Sequence, residues 1–210
     1  MDWVSVAGLG TAAGTLVLAI ATFASVRSAN RAARTAERAL AAGLRPLLIG
    51  SRLDDPAQKI HFSDRHLVVV KGGSGVAECT DAAVYLAMSL RNAGAGVAIL
   101  HGWFPHPSGD VSKMPPPPAP EDFRRLTRDI YIAAGDAGFW QGALRDPESD
   151  EYAMVRKAIE ERTNITIDVL YGDHEGGQRV ISRFGLIPIG DEQWTASPAR
   201  HWNVDRPDPR

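Results

Sequence analysis

The chain begins with an unbroken apolar run and then changes its hydrophobic period. From Val4 to Val26 no side chain is charged, the flanking charges being Asp2 and Arg27. A helix of these roughly 23 residues, rising about 1.5 Å per residue, reaches about 35 Å and exceeds a hydrocarbon core about 30 Å thick. The run therefore predicts a transmembrane helix. Beyond it, SANRAARTAERALAAG is rich in strong helix formers and predicts that the helix continues as a linker over 27–43. Val26, Ala29, Ala33, Ala36 and Leu40 follow a/d spacing. Two heptads are short for a coiled coil, so a basic helix lying near lipid headgroups is the preferred reading. Gly43 is expected to end the helix in a left-handed cap, with Arg45-Pro46 blocking its continuation.

From Leu44 onward the pattern alternates. Strands are predicted at 44–51, 66–71, 81–90, 97–104, 129–134 and 138–144, with a late hairpin at 165–171 and 179–187. The clearest places Val84, Leu86, Met88 and Leu90 on one face and Tyr85, Ala87, Ser89 and Arg91 on the other, as in a sheet with one buried face. The prolines after Met114 predict an extended polyproline loop, followed by a helical turn over 121–126. Asp146-Pro147 reads as an N-cap and first helical position, opening a helix over 147–162 that buries Tyr152, Val155 and Ile159. The Pro- and Asp-rich tail from Asn203 is expected to be disordered. Together these predict a mainly β fold, an antiparallel immunoglobulin-like β-sandwich with one inserted helix, and a small barrel as the main rival. The expected organisation is a short external N-terminus (1–3), the span (4–26), the basic linker (27–43), the sandwich (44–202) and the tail (203–210).

Charge adds an orientation. Arg27, Arg31, Arg34, Arg38 and Arg45 follow the span, offset only by Glu37, so the positive-inside rule places the domain in the cytoplasm, on a cell inner membrane. Asp2 has the wrong sign for a signal-peptide n-region. Arg27, Arg31, Arg34 and Arg38 are expected to contact lipid headgroups. Gly10 and Gly14 form a GxxxG pair through which two spans could associate as a homodimer, though small residues fill most of this helix. A net charge of −2 over 210 residues argues against a nucleic-acid partner. The single cysteine, Cys79, allows no intrachain disulfide.

The segments LRNAGAGVAILHGW and IDVLYGDHEGGQRVISRF carry a resemblance. They are similar to a pattern in bacterial single-pass membrane proteins, where a strand ends in an Asn-x-Gly turn and a late hairpin carries Tyr-x-Asp before a glycine turn. The resemblance implies a membrane-tethered β-sandwich and no particular activity.

Candidate chemistry is sparse. His101 and His106 are five apart, so one strand would point them to opposite faces, with no Cys or carboxylate at zinc-site spacing. Asp146, Glu148, Asp150 and Glu151 lack the glycine and distal glutamate of a calcium loop and suit the first turn of a helix. Gly72-Gly73-Ser74-Gly75 lacks the lysine of a P-loop and reads as a hairpin loop. Cys79 has no adjacent histidine and reads as a packing residue, and the sequon Asn164-Ile165-Thr166 opens a strand. Neither a catalytic, a cofactor nor a metal site is predicted. Trp103, Trp140, Trp194 and Trp202 are the candidate partner surface if they are exposed together. The leading expectation is a membrane-tethered cytosolic interaction or scaffolding module, without catalysis, that binds the membrane and a protein partner. The alternatives are a sensor or enzyme built from loops around Asn92, His101, Asp136 and Asp173, or the same domain outside the membrane as an envelope-binding module.

Overall fold

The computed structural model describes residues 3–106 and 114–206, and side-chain surroundings from residue 12 onward except at 41 and 42. It separates into two units, residues 1–43 and 44–210. The first is a single helix, α1 (Trp3–Gly43), in which the predicted span and linker run together without a break. The hydroxyls of Thr22 and Thr35 donate to the carbonyls of Leu18 and Arg31, four residues back, at 2.8 and 3.0 Å. These polar side chains thus satisfy themselves within the helix. Gly43 is the last helical residue and does not take the left-handed conformation, which corrects the expected cap. Pro46, and its steric restriction of Arg45, suffice to end the helix.

The second unit is mainly β. Its strands are β1 (Leu48–Gly50), β2 (Gln58–His61), β3 (Leu67–Val70), β4 (Ser74–Cys79), β5 (Val84–Asn92), β6 (Ala98–His106), β7 (Arg124–Ile132), β8 (Ala137–Leu144), β9 (Ile165–Gly172), β10 (Val180–Ile189) and β11 (Gln193–Asn203). One helix, α2 (Asp150–Glu160), lies between β8 and β9. All pairings are antiparallel. The main sheet runs β1-β5-β4-β11-β10-β9-β6-β7, with β8 on the other edge of β5. It curls so that Leu86, Met88, Leu100, Trp103, Trp140, Ile167, Val169, Phe184 and Leu186 share one core, into which α2 presents Tyr152, Val155 and Ala158. Trp103 and Trp140 meet edge to face with centroids 5.4 Å apart, an arrangement adding about 0.5–1.5 kcal/mol beyond area burial.

Several predicted elements differ in detail, each for a local reason. The hairpin β2–β3 packs Ile60, Phe62, Val68 and Val70 over Tyr85 and Ala87, so β5 is buried on both faces rather than one. Gly72 and Gly73 do turn the chain, Gly73 at φ +69°, but Ser74 and Gly75 already belong to β4. The turn after the prolines shrinks to a 3-10 helix at Pro120–Asp122, and Arg124 begins β7. The cap of α2 is Ser149, whose Oγ accepts from the amide of Tyr152 at 3.3 Å, while Asp146 caps the preceding turn through the amide of Glu148 at 3.1 Å. The segment after residue 190 is a full strand rather than an irregular tail. Pro198, which cannot donate to a ladder, sits at a register shift where β11 gains an extra residue, Ala199. Beyond Asn203 the chain still packs as far as Asp205, which Arg179 holds through its guanidinium at 2.7 Å and its backbone amide at 2.7 Å. Of the tail expected to be disordered, residues 203–206 are described with these contacts, and 207–210 lie outside the described residues.

Candidate functional site

The outer face of the curled sheet carries the candidate site, and a bulge in β6 shapes it. Between Leu100 and Gly102 the pairing of β6 with β9 shifts by one residue, while on its other side β7 loops out residues 126–129 before pairing resumes at Arg125. The shift reverses the alternation, so His101 and His106 lie on the same outer face instead of opposite ones. His101 faces an open groove of about 640 Å³ whose apolar floor includes Phe123 and Leu170 and whose rim includes Arg125, Arg179 and Glu121. Two glycines allow the close packing around it, Gly172 against the His101 ring and Gly102 against the β7 backbone. A Cβ on Gly172 would stand 3.0 Å from His101 Nε2, and one on Gly102 would stand 2.8 Å from the carbonyl oxygen of Arg124. His101 reaches solvent, yet partial burial, and after it the nearby Arg179, holds its pKa below the ordinary histidine range against the opposing pull of Asp129.

A buried polar cluster lies on the same face. Arg183, 2% exposed, grips Asp168 with two bonds, Nε to Oδ1 at 2.7 Å and Nη2 to Oδ2 at 2.8 Å. His106 Nε2 lies 2.6 Å from Asp168 Oδ2, so it donates to that carboxylate. Arg183 also donates to the carbonyl of Pro115 at 2.9 Å, tying the proline-rich connection down, and lies 4.9 Å below the ring centre of Trp202. Burial pushes the Asp168 carboxyl up, but the bonds from Arg183 and His106 outweigh it and hold the pKa below the usual carboxylate value. Asp168 accepts from both Arg183 and His106, and these buried mutual bonds make the cluster a structural lock.

The predicted residues distribute as follows. Trp103, Trp140 and Trp194 are 3%, 0% and 4% exposed and belong to the core, so they form no shared partner surface, and Trp202 is half-buried over Arg183. Arg27, Arg31, Arg34 and Arg38 are all exposed along α1. A Cβ on Gly14 would have nothing within 4 Å, and Gly10 lies outside the residues whose surroundings are described. The loop residues do not converge as one site. Asn92 is buried and saturated, accepting from the amides of Leu47 and Gly94 and donating to the carbonyls of Gly96 and Ile132. Asp136 meets it only through the backbone, and Asp173 fastens its own turn through Gly177 and Gln178. Of the four, only His101 lines the groove.

Sequence reasoning missed Arg125, Arg179, Asp168 and Arg183. A signal existed for the last two, since Asp168 and Arg183 are lone charges at matched positions of the β9–β10 hairpin. Ser182 Oγ lies 2.6 Å from His201 Nδ1 and 2.8 Å from Tyr171 Oη, but Ser182 is fully buried and this chain braces the core. Among the described residues no three His, Cys, Asp or Glu side chains gather as a metal-binding group.

These features define a class of protein, a long apolar-to-basic helix followed by an antiparallel curled β domain with an outer groove. No protein-family model, curated protein or solved structure matches the chain.

Proposed function

We propose that this chain is a single-pass membrane protein that presents its β domain at the cytoplasmic face as a binding and scaffolding module, without catalysis. The observation that carries the proposal is the exposure of apolar side chains all round α1. Leu16, Val17, Leu18, Ile20 and Phe23 are each more than 60% exposed. At about 100° per residue these five span about 220° of the helix surface, and the exposed Ala19 and Val26 fall in the remaining arc, so apolar side chains lie on every side of the span, which supports a helix surrounded by lipid. The described part of α1 is long and apolar enough to cross a bilayer. The exposed Arg27, Arg31, Arg34 and Arg38 follow it, and each would gain about 1 kcal/mol against anionic headgroups. This charge supports the cytoplasmic orientation.

The finer fold belongs to the same proposal. β4 and β11 share only two paired positions, and no ladder joins β7 to β8 among the described residues. Those two weak seams support reading the curl as an immunoglobulin-like sandwich, β1, β4, β5 and β8 facing β7, β6, β9, β10 and β11.

The test is a pair of fusions after Arg210 in bacterial cells, one reporter active only in the cytoplasm and one active only outside it. The expected result is a carbonate-resistant membrane pellet with signal from the cytoplasmic reporter alone. Signal from the external reporter would establish the envelope-facing alternative, and recovery in the soluble fraction would overturn the span itself.

A further inference from the structure

The groove on the outer face has a composition that selects a ligand. We infer that it binds a small organic anion, a phosphate or carboxylate head on a flat apolar body, with the head at Arg125 and Arg179 and the body on Phe123 and Leu170. The inference stands apart from the membrane proposal, because it rests on the β domain alone.

Four observations converge on it. The volume of about 640 Å³ lies within the range of roughly 300–1,000 Å³ usual for small-molecule sites. The floor is apolar and fixed: Phe123 and Leu170 are 7% and 5% exposed and pack with Ile181 beneath the groove. The rim offers cations that are not equally engaged. Arg179 is held by Asp205 through Nε and Nη2, which orients its guanidinium. The Arg125 guanidinium, in contrast, makes no hydrogen bond or ion pair with any described residue. A planar guanidinium lacking a partner beside an apolar floor matches the bidentate geometry of phosphate and carboxylate. Finally, the backbone is shaped to admit something. The β6 bulge turns His101 outward so that it lines the groove, and Gly172 lets the His101 ring pack against the backbone of β9. A bulge that re-aims a side chain is a recurrent device beside binding sites.

Glu121 on the rim sets a limit on the ligand. Its charge opposes a polyanion, so a single anionic head is favoured over a nucleic-acid backbone or a cluster of phosphates. His101 serves as a neutral hydrogen-bonding partner, and the flat floor discriminates by shape.

The probe is phenyl phosphate, titrated calorimetrically into the full chain in neutral detergent micelles, with the heat of empty micelles subtracted. Inorganic phosphate supplies the head alone and benzyl alcohol the body alone. The expected result is saturable binding of phenyl phosphate, at least about tenfold tighter than either fragment. Arg125→Gln is expected to weaken it about tenfold or more, consistent with loss of one charge-assisted contact. The Arg125 side chain is exposed and makes no hydrogen bond or ion pair with a described residue, so this variant should keep the circular-dichroism spectrum and melting temperature of the parent. Absence of saturable binding overturns the inference. So does equal binding by the Arg125→Gln variant, or equal binding of phenyl and inorganic phosphate, which would reduce the groove to general surface charge.

Discussion

At the scale of single residues, parity governs this protein. In a strand of period two, residues five apart point to opposite faces and residues eight apart to the same face. His101 and His106 break the first rule and Trp194 and Trp202 the second, because β6 has one extra residue against β9 and β11 one against β10. A bulge has no strong local signature in sequence, so the side-chain directions around it were not legible, although the strand at β6 was. The Asp168–Arg183 pair was legible in principle, as two opposite charges in otherwise apolar strands at the same register. Its energetics yield a prediction. Removing one member of a buried ion pair leaves the other unpaired and costs about 3–5 kcal/mol. Asp168→Asn should therefore lose about that much in urea unfolding of the full chain in detergent at pH 7. The sign of the pH dependence follows from the lowered pKa of Asp168. The stabilisation is complete above the unfolded carboxylate value of about 3.9 and is lost as pH falls through the lower folded value. The gap between parent and variant should hold from pH 7 to 5 and close below about pH 4; a gap that persisted in stronger acid would refute this account of the pair.

Elements were more legible than residues wherever a repeating pattern was long. The helix α1, the β9–β10 hairpin and strands β5, β6 and β8 follow directly from periodicity. β2 and β4 were not legible, since β2, QKIH, holds a single apolar residue and β4 begins inside a glycine-rich run that also makes a turn. The start of α2 shows the limit of local rules. Asp146-Pro147 satisfies the sequence signature of a helix N-terminus, yet Ser149 takes the cap because its hydroxyl meets the amide of Tyr152 as that ring enters the core. Tertiary burial of Tyr152, Val155 and Ala158 fixes which residue can cap. Ser149→Ala should cost about 1 kcal/mol, seen as a fall of about 2–4 °C in melting temperature. Asp146→Ala should cost less, since it removes a turn contact but leaves the cap; a larger effect at Asp146 would restore it as the true start of the helix.

At the scale of the whole molecule, the deciding question is what covers α1. A helix apolar on every side has two fates in principle, insertion in lipid or burial inside an assembly. They differ in how many sides must remain apolar. Leu16 and Leu18 are two residues apart, about 200° around the helix, so they lie on nearly opposite sides. Both are exposed, at 62% and 68%. In a bilayer each side faces hydrocarbon, and an arginine near the centre of a span costs about 2.5–3.5 kcal/mol on the insertion scale. Leu16→Arg and Leu18→Arg should then lower the carbonate-resistant fraction by similar amounts, and the double substitution should abolish it. If α1 were instead covered along one stripe by a partner helix, one of the two arginines would face solvent and be tolerated. The pair of substitutions thus separates lipid from protein as the covering of α1. Because neither residue lies in the β domain, the same variants should leave binding at the His101 groove unchanged, which keeps the two proposals independently open to refutation.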